Sequence, residues 1–504
     1  MSTETNLHAG RREWIGLLIL VVPTLLISMD MTVTYLALPV LSASLKPSSA
    51  ELLWITDIFG FMEAGLLIVM GSLGDRIGLR RILLYGAFAF TAASAFAAFS
   101  PSAFWLIVAR AIMGIAGATL LPTVLSLIRN MFVNDKERTF AMGLYTTCFS
   151  AGTILGPVIG GFLLSHFWWG SIFLMPVPLI ILLLITAPAL LPEFKDPHSK
   201  AIDLLSSALL IAATLLIIYG LKQLAQSGMS WTSLLLMLIG LSFAKLFLDR
   251  QKVTANPLID LQLFASAKFN AALMALFVAL FSWSGIFLFI GQYLQSVLGL
   301  PSFKAGLWML PGATGSILFC MMAPVALKYF KRSSIMATGL AVLAVGTGLL
   351  SLLTPYSLAL LVAATFLMSS GCGITVTLGI DRVVASAPPQ KAGAAAGVSE
   401  TSTAFGSSFG IALLGCLWTF IYRRDMNNSN IPGTVPGRSA ELAQGTIGNT
   451  VAAAGKLHNM ELIKYVRGAF VHSLHITAIV CALIIFATAV LVAVKFSDAT
   501  PRPI

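Results

Sequence analysis

Charge is scarce in this chain. Only 10% of its 504 residues are Asp, Glu, Lys or Arg, while 58% are hydrophobic; a soluble domain carries roughly 25% charged residues. That shortage excludes a water-soluble globular chain, because so much apolar surface cannot be hidden in one core, and the bilayer must act as solvent. Cysteine is also scarce. Cys148, Cys320, Cys372, Cys416 and Cys481 all fall in apolar runs and none forms a CxxC pair, so core packing is expected rather than a disulfide or metal framework. There is no HExxH, no GxxxxGK[ST] and no His/Cys cluster. A metal centre and ATP drive therefore have no support, and no cofactor is expected. The acid/His constellation of a membrane-surface transferase is missing as well, so the chain does not read as an enzyme. The polar stretch MSTETNLHAGRREW runs straight into an apolar one without a small-residue cleavage site, so no cleaved signal peptide is expected.

What the chain has is long apolar windows, near 14–38, 52–73, 81–99, 104–128, 139–164, 171–191, 204–221, 231–248, 270–297, 305–327, 335–353, 357–380, 392–421 and 469–494. About 20 apolar residues cross a bilayer as a helix. The windows predict an all-α integral membrane protein with 14 transmembrane helices, and an even number of spans puts both termini on one side. With the termini inside, 20 of the 31 Lys and Arg fall in inner segments and 9 in outer loops, six of the nine in one loop at about 422–468. Inner loops carry the positive excess, so both termini are expected in the cytoplasm. The net charge of +11 is read in the same way, as a topology signal, and no nucleic-acid partner is expected. The 422–468 loop is rich in turn residues, then in alanine, and reads as a solvated cap, with a substrate gate as the alternative.

Within these spans lie Asp30, Asp57, Glu63 and Glu400, with one embedded base, Arg110. An acid at bilayer depth costs roughly 2.5–3.5 kcal/mol, so each needs a proton, a bound cation or a partner charge. Asp30 lies well inside span 1, and a pair with Arg110 that breaks on protonation would be a switch. Asp57 is about one turn from the outer end of span 2, with Trp54 and Phe61 on nearby faces. A carboxylate beside an aromatic wall suits a lipophilic cation; the alternative is an interfacial acid facing outer water. Glu63 is six residues further on, about 120° around the helix, so the two acids are not expected to face one cavity. Glu400 sits among small residues in GVSETSTAFG. Asp381, beside Arg382 at the end of span 12, reads as an interfacial pair. Tyr145, Phe149 and Trp283 are further candidates to touch substrate. The inventory reads as a proton-coupled transporter of a cation.

Between spans 2 and 3 the chain reads Gly71-Ser-Leu-Gly74-Asp75-Arg76-Ile-Gly78-Leu-Arg80-Arg81, a tight turn with a basic anchor. A degenerate copy, Ala323-Pro-Val-Ala-Leu-Lys328-Tyr-Phe-Lys331-Arg332, follows span 10 with the bases but no acid. Two copies of one turn suggest an internally duplicated bundle. Span 5 carries Gly152-Thr-Ile-Leu-Gly156-Pro157-Val-Ile-Gly160-Gly161, a glycine stripe on which another helix can pack, with a proline that permits a bend.

These motifs resemble the major facilitator superfamily, and in particular its fourteen-span drug:proton antiporters, the QacA/SmvA-like exporters. The Gly71–Arg81 turn is similar to the superfamily's loop signature, and Arg110 in VARAIMGIAGA to its fourth-span arginine motif. Gly152–Gly161 resembles the antiporter motif, and Met29–Pro39 the first-span signature of the fourteen-span group. Trp54-Ile-Thr-Asp57 is similar to the group's second-span acid motif. Asn256–Phe264 and the stretch Gln295 to Pro311 look like its central signatures. The resemblance implies a major facilitator fold of two six-helix bundles plus two extra central helices: residues 1–191, an insert at 192–268, and 269–504. It implies proton coupling through Asp30, Arg110 and Glu400, and substrate contacts from Asp57, Glu63, Trp54, Phe61, Glu400, Tyr145, Phe149 and Trp283. Conformational roles go to Gly71, Gly74, Asp75, Arg76, Arg80, Gly152, Gly156, Pro157, Gly160 and Gly161. The implied partners are lipophilic cations such as quaternary ammonium compounds and dyes, protons and the bilayer of a bacterial plasma membrane, with the protein a monomer. The implied activity is antiport, a multidrug efflux that confers antibiotic resistance. Export of a dedicated metabolite, lipid-like molecule or neutral antibiotic is the alternative. The acid that some relatives carry in span 10 is missing from Leu310–Ser316, and so is a second acid in span 13, where Thr-Ser-Thr-Ala404 follows Glu400.

Overall fold

The computed structural model describes residues 8–195, 203–227, 230–254, 257, 261–327, 329–354, 357–386, 392–428 and 460–495. Most of the 422–468 loop, Asp260 and Lys328 lie outside the described residues. Fourteen long helices follow in order: α1 (Arg11–Leu45), α2 (Ser49–Ile77), α3 (Leu79–Ala98), α4 (Ala103–Met131), α5 (Asp135–His166), α6 (Pro176–Leu190), α7 (Leu204–Ser227), α8 (Trp231–Val253), α9 (Ala267–Gln292), α10 (Ser302–Ala326), α11 (Arg332–Leu349), α12 (Leu358–Ala385), α13 (Ala392–Asn428) and α14 (Met460–Lys495). One turn of helix, Ser171–Leu174, precedes α6. Thirteen of the spans are long and apolar enough to cross a membrane by composition alone. The fourteenth, α2, is a 29-residue helix, and it packs against α4 and α13.

Local chemistry sets several helix ends. Ser48 and Glu51 form a capping box, in which the Glu51 N–H donates to Ser48 Oγ at 3.2 Å and the Ser48 N–H to Glu51 Oε2 at 2.8 Å. Gly78, at φ +123°, closes α2 and opens α3, a conformation that disfavours any side chain. A π-helical turn, Tyr293–Val297, ends α9.

Two hydrophobic cores divide the molecule. One is built from residues of α1–α6 between Leu17 and Leu191. The other is built from α9–α14, with Tyr35, Leu36, Leu38, Leu52 and Leu53 reaching into it from α1 and α2. Glycines let helices approach where the bundles meet. A Cβ at Gly161 would stand 2.7 Å from the Ser302 carbonyl oxygen, one at Gly306 would overlap the Pro157 carbonyl, and one at Gly60 would overlap Ser408. Gln295 Nε2 donates to the Leu36 carbonyl at 2.6 Å, and the Phe303 N–H donates to Ser165 Oγ at 3.3 Å. All of these contacts lie toward the face opposite the described chain ends. Toward the ends themselves, a Cβ at Gly143 or Gly397 would meet nothing within 4 Å among the described residues. The bundles are therefore in close contact toward the far face.

The α7–α8 hairpin lies outside both cores. Gly240 admits Ile217 and Gly220 admits Met237, which zips α8 onto α7, and α7 alone touches α2 and α13. At the termini face Asp203 clasps the hairpin. It accepts from the Ser206 N–H at 3.1 Å and from Arg250 Nη2 at 3.1 Å, and Gln251 Nε2 donates to Ser206 Oγ at 2.8 Å. Desolvation raises the pKa of Asp203, but the hydrogen bonds from Ser206 and Arg250 outweigh it and hold the carboxyl below its ordinary value. A depressed carboxylate contributes stability that is present above its unfolded pKa and lost as pH falls through its folded one. The hydrogen-exchange protection factors of the first turn of α7, corrected for the intrinsic rate, should therefore fall between about pH 5 and about pH 3, beyond the change in an Asp203→Asn control. Identical profiles for the two proteins would remove the clasp.

Candidate functional site

Arg110 of α4 is the most enclosed base among the described residues, 1% exposed. Its Nη1 donates to Asp30 Oδ2 of α1, its Nε donates to the Ile55 carbonyl of α2 at 3.2 Å, and its guanidinium lies over Phe59 at 4.8 Å and Phe173 at 5.9 Å. One side chain thus ties three helices together. The glycines of α5 bring α1 into place: Gly152 packs against Ser28, Gly156 against Met29 and Thr32, and Gly160 against Val33, with 2.8 Å from its would-be Cβ to Val33 Cγ1. These contacts bracket Asp30 on both sides along α1.

Asp57 is fully buried rather than interfacial, which corrects the alternative of an acid facing outer water. Lys222 of α7 accounts for this. Its Nζ lies 3.0 Å from Asp57 Oδ1 and 2.9 Å from Oδ2, and 3.6 Å from the centroid of the Trp54 ring. In the sequence Lys222 falls just past the window 204–221 and reads as an outer-loop charge. In the structure it lies inside α7 and is 2% exposed. The signal that could have found it is the apolar run on both sides, LLIIYGLKQLAQ, in which a lone lysine needs a partner. Phe61 is packed, not free: it meets Phe409 edge-on at 5.5 Å and belongs to a small cluster with Ile218 and Ala412, where α2, α7 and α13 join.

Glu63 looks elsewhere. It is buried against α4 at Gly117, where an added Cβ would stand 3.3 Å from Glu63 Oε1, so this glycine of the VARAIMGIAGA motif makes room for the acid. Glu63 Oε1 has no hydrogen-bond partner among the described residues. Glu400 approaches from α13 in the other bundle. It is close enough for its charge to act on both Glu63 and Tyr145, and Glu63 acts on Tyr145 in turn. Tyr145 is half-buried and Phe149, one turn along α5, is exposed. Trp283 belongs to the other bundle, where its Nε1 donates to Ser369 Oγ at 3.1 Å and its ring stacks on Phe287 at 4.7 Å. The structure thus separates the candidates into a buried ion pair (Asp30, Arg110), an occupied clasp (Asp57, Trp54) and a group of neighbouring side chains from both bundles (Glu63, Glu400 and Tyr145).

The residues expected as a turn from Gly71 to Ile77 are the last two turns of α2, and the chain turns only at Gly78; Gly74 lets Leu79 and Ile82 of α3 close in, each 3.2 Å from its would-be Cβ, Gly71 is in ordinary contact with Pro122 of α4, Arg76 is exposed, and the side chain of Asp75 lies outside what is described. Arg80 is held by Glu193, with its N–H 3.0 Å from Glu193 Oε1, and by the carbonyls of Pro188 and Leu191. Glu193, in the plain-looking LLPEF after span 6, was not legible as part of this turn. In the degenerate copy, Arg332 meets Asp381 of α12 at 2.7 Å. The acid that the copy lacks in sequence is supplied through space, and Asp381 has Arg332 as an ion partner.

Two bundles of membrane helices, in contact toward one face, with acids from both brought near one another, define a membrane transporter rather than an enzyme. The Major Facilitator Superfamily model matches residues 20–411, and the chain belongs to that superfamily. It is 38% identical over 499 residues to the multidrug efflux pump LfrA of Mycolicibacterium smegmatis, covering 98% of each chain. It is 32% identical over 475 residues to the methyl viologen resistance protein SmvA of Salmonella typhimurium, covering 92% of this chain and 94% of that one. It is 28% identical over 474 residues to the tetracenomycin C resistance and export protein of Streptomyces glaucescens, covering 91% and 87%. Among solved structures, the inward-facing, unoccupied bacterial homologue of the human lysosomal transporter Spinster shares the fold, with a TM-score of 0.69 at 15% identity over 97% of this chain and 98% of that one.

Removing one partner of a buried ion pair strands the other, at a cost of about 3–5 kcal/mol. Arg110→Gln should therefore lower the melting temperature and the yield in detergent, and Asp30→Asn/Arg110→Gln should recover much of both without recovering transport. An Arg110→Gln protein as stable as wild type would show that the bridge does not hold α1, α2 and α4 together.

Proposed function

We propose that the protein exports lipophilic, mainly cationic compounds, such as quaternary ammonium antiseptics, drugs and dyes, from the cytoplasm of a bacterium in exchange for protons. The face that carries the termini is cytoplasmic on this reading, the bundles are residues 1–191 and 269–504, and the protein acts as a monomer in the plasma membrane. The observation that carries the reading is Glu63 and Glu400: two acids from opposite bundles, near enough for the charge of one to act on the other, with no base paired to either among the described residues. Two carboxylates in a low-dielectric cavity must be neutralised, by protons or by a cationic guest. They cannot hold both equally, so each weakens the other's binding by ordinary linkage. Names such as multidrug efflux pump and methyl viologen resistance protein, borne by relatives at 38% and 32% identity, support the substrate class.

Asp30 is the coupling acid of the proposal. Protonation removes its charge and frees the Arg110 guanidinium, which then keeps only the Ile55 carbonyl and the aromatic rings as partners. The packing of α1 on α4 and α2 changes with that single proton. Tyr145, Phe149 and Trp283 supply aromatic surface for the guest. The α5 stripe and the Gly71–Arg81 turn, with Pro157 as the bend, guide the rocking of one bundle against the other.

The test is transport in proteoliposomes with an imposed pH gradient. Wild type should concentrate ethidium only while the gradient lasts, and Asp30→Asn should reduce uphill transport at least about tenfold while the protein still inserts. Uphill transport by Asp30→Asn would remove Asp30 from coupling. Glu400→Gln should leave a monovalent dye partly transported and abolish any transport of a divalent one such as methyl viologen. Undiminished divalent transport would dissociate Glu400 from cation binding. A second reading, export of one dedicated metabolite, rests on the tetracenomycin C exporter among the relatives. It predicts that a panel of unrelated cations leaves the gradient-driven flux of none of them above that of empty liposomes.

A further inference from the structure

Asp57 and Trp54 form a site for an organic ammonium group, and the site is filled by the chain itself. The Lys222 ammonium sits 2.9–3.0 Å from both carboxylate oxygens. One of its faces is turned to the indole, 3.6 Å from the ring centroid. A carboxylate with an aromatic plate is how proteins hold alkylammonium guests, through Coulomb attraction and the ring quadrupole together. A strut between two helices needs only the charges. The plate adds selectivity for a cation with an apolar body, and lysine has one.

The place of the site sharpens its meaning. Asp57 and Trp54 are in the outer half of α2, beside the seam where α2 meets α13. There Gly60 is pressed on Ser408 and Gly415 on Leu53. Lys222 comes from α7, a helix of neither bundle, which covers that seam through Ile218 in a cluster with Phe61 and Ala412. A guest that leaves through the far face must pass where this seam opens. Asp57, buried throughout, cannot be left bare there without a large penalty. It can change one cation for another at no change in net charge.

We propose that Lys222 is a tethered cation occupying the Asp57–Trp54 site, and that lipophilic cations leaving the pump exchange with it. Lys222 then sets specificity at the exit: its competition keeps the site from trapping a cationic guest, and its return expels one. The inference rests on the proposed export of lipophilic cations and adds a second cation site, away from Glu63 and Glu400.

Equilibrium dialysis of labelled tetraphenylphosphonium against the purified full-length protein tests it, without reliance on protons or transport direction. Lys222→Met vacates the site, and its affinity should rise about tenfold over wild type. In proteoliposomes the same change should lower KM for the cation together with kcat, since release slows. Asp57→Asn/Lys222→Met, which removes the site, should lose the gain. Lys222→Arg, which keeps the charge and can bind the carboxylate through two nitrogens, should bind the probe several-fold more weakly than wild type; it decides the matter if Lys222→Met does not fold. Equal affinity in wild type, Lys222→Met and Lys222→Arg would reduce Lys222 to a strut and leave the export reading untouched. Absence of binding in every protein, wild type included, overturns both.

Discussion

Low dielectric is the constraint from which this molecule is built. In water an ion pair at contact is a modest attraction, and a lone charge is solvated at once. Among apolar helices each charge must find a partner or lose its charge. Arg110 shows the consequence. A guanidinium that cannot be neutralised by losing its proton has to gather acceptors, and it gathers them from Asp30 on α1 and the Ile55 carbonyl on α2, with the Phe59 and Phe173 rings against its faces. Three helices of one bundle are thereby placed by the needs of one side chain. Aspartate, unlike arginine, can accept a proton. The two partners are therefore unequal: one is a fixed charge and the other a variable one, and the bridge is stable only while the variable charge is present.

Close approach is the second requirement, and small residues meet it. The hydrophobic effect does not draw helices together in lipid, so contact depends on packing and on polar pairs. Gly152, Gly156 and Gly160 set α5 onto α1 on either side of Asp30, while Gly161 and Gly306 set α5 and α10 together across the bundles. The same helix thus holds the switch and touches the opposite bundle. Gly117 works differently: it makes room for Glu63 rather than for a backbone. In each case the absent Cβ lies beside an ionisable group or the bundle seam, where a side chain would either displace a carboxylate or part the helices.

Much of this was legible because the membrane imposes simple rules. Apolar length gave the fourteen spans, α2 among them despite its embedded acids. Asp30 and Arg110 could be paired because each was too costly alone. Lys222 could not be placed, since a lysine at the edge of an apolar window is ordinarily a loop charge, and only the fold shows that α7 runs on past it and lies against α2. Glu193 and Asp381 were illegible as partners of Arg80 and Arg332 for a related reason. They come from neighbouring helices, and sequence spacing carries no information about which helix end lies beside which turn. Phe61 was assigned to a cavity wall because it is near Asp57 in sequence, whereas the helix turns it into the α2–α7–α13 seam.

The embedded charges divide by what balances them. Asp30 and Asp57 each have a base from the chain itself, and so are neutral as pairs without any guest. Glu63 and Glu400 have none among the described residues. An imbalance of this kind is not needed to build the fold, which would be more stable with uncharged residues at both positions. It is carried by two side chains from opposite bundles, beside Tyr145. On the proposed reading, a site that takes up positive charge to become neutral, bounded by both bundles and opening to the termini face, couples its own occupancy to their relative position. Closing that face over two bare carboxylates would bury both unpaired, whereas closing it over protons or a cation would not. The cost of burying charge, which elsewhere fixes Arg110 and Lys222 in place, would on that reading decide which occupied states cross to the other side.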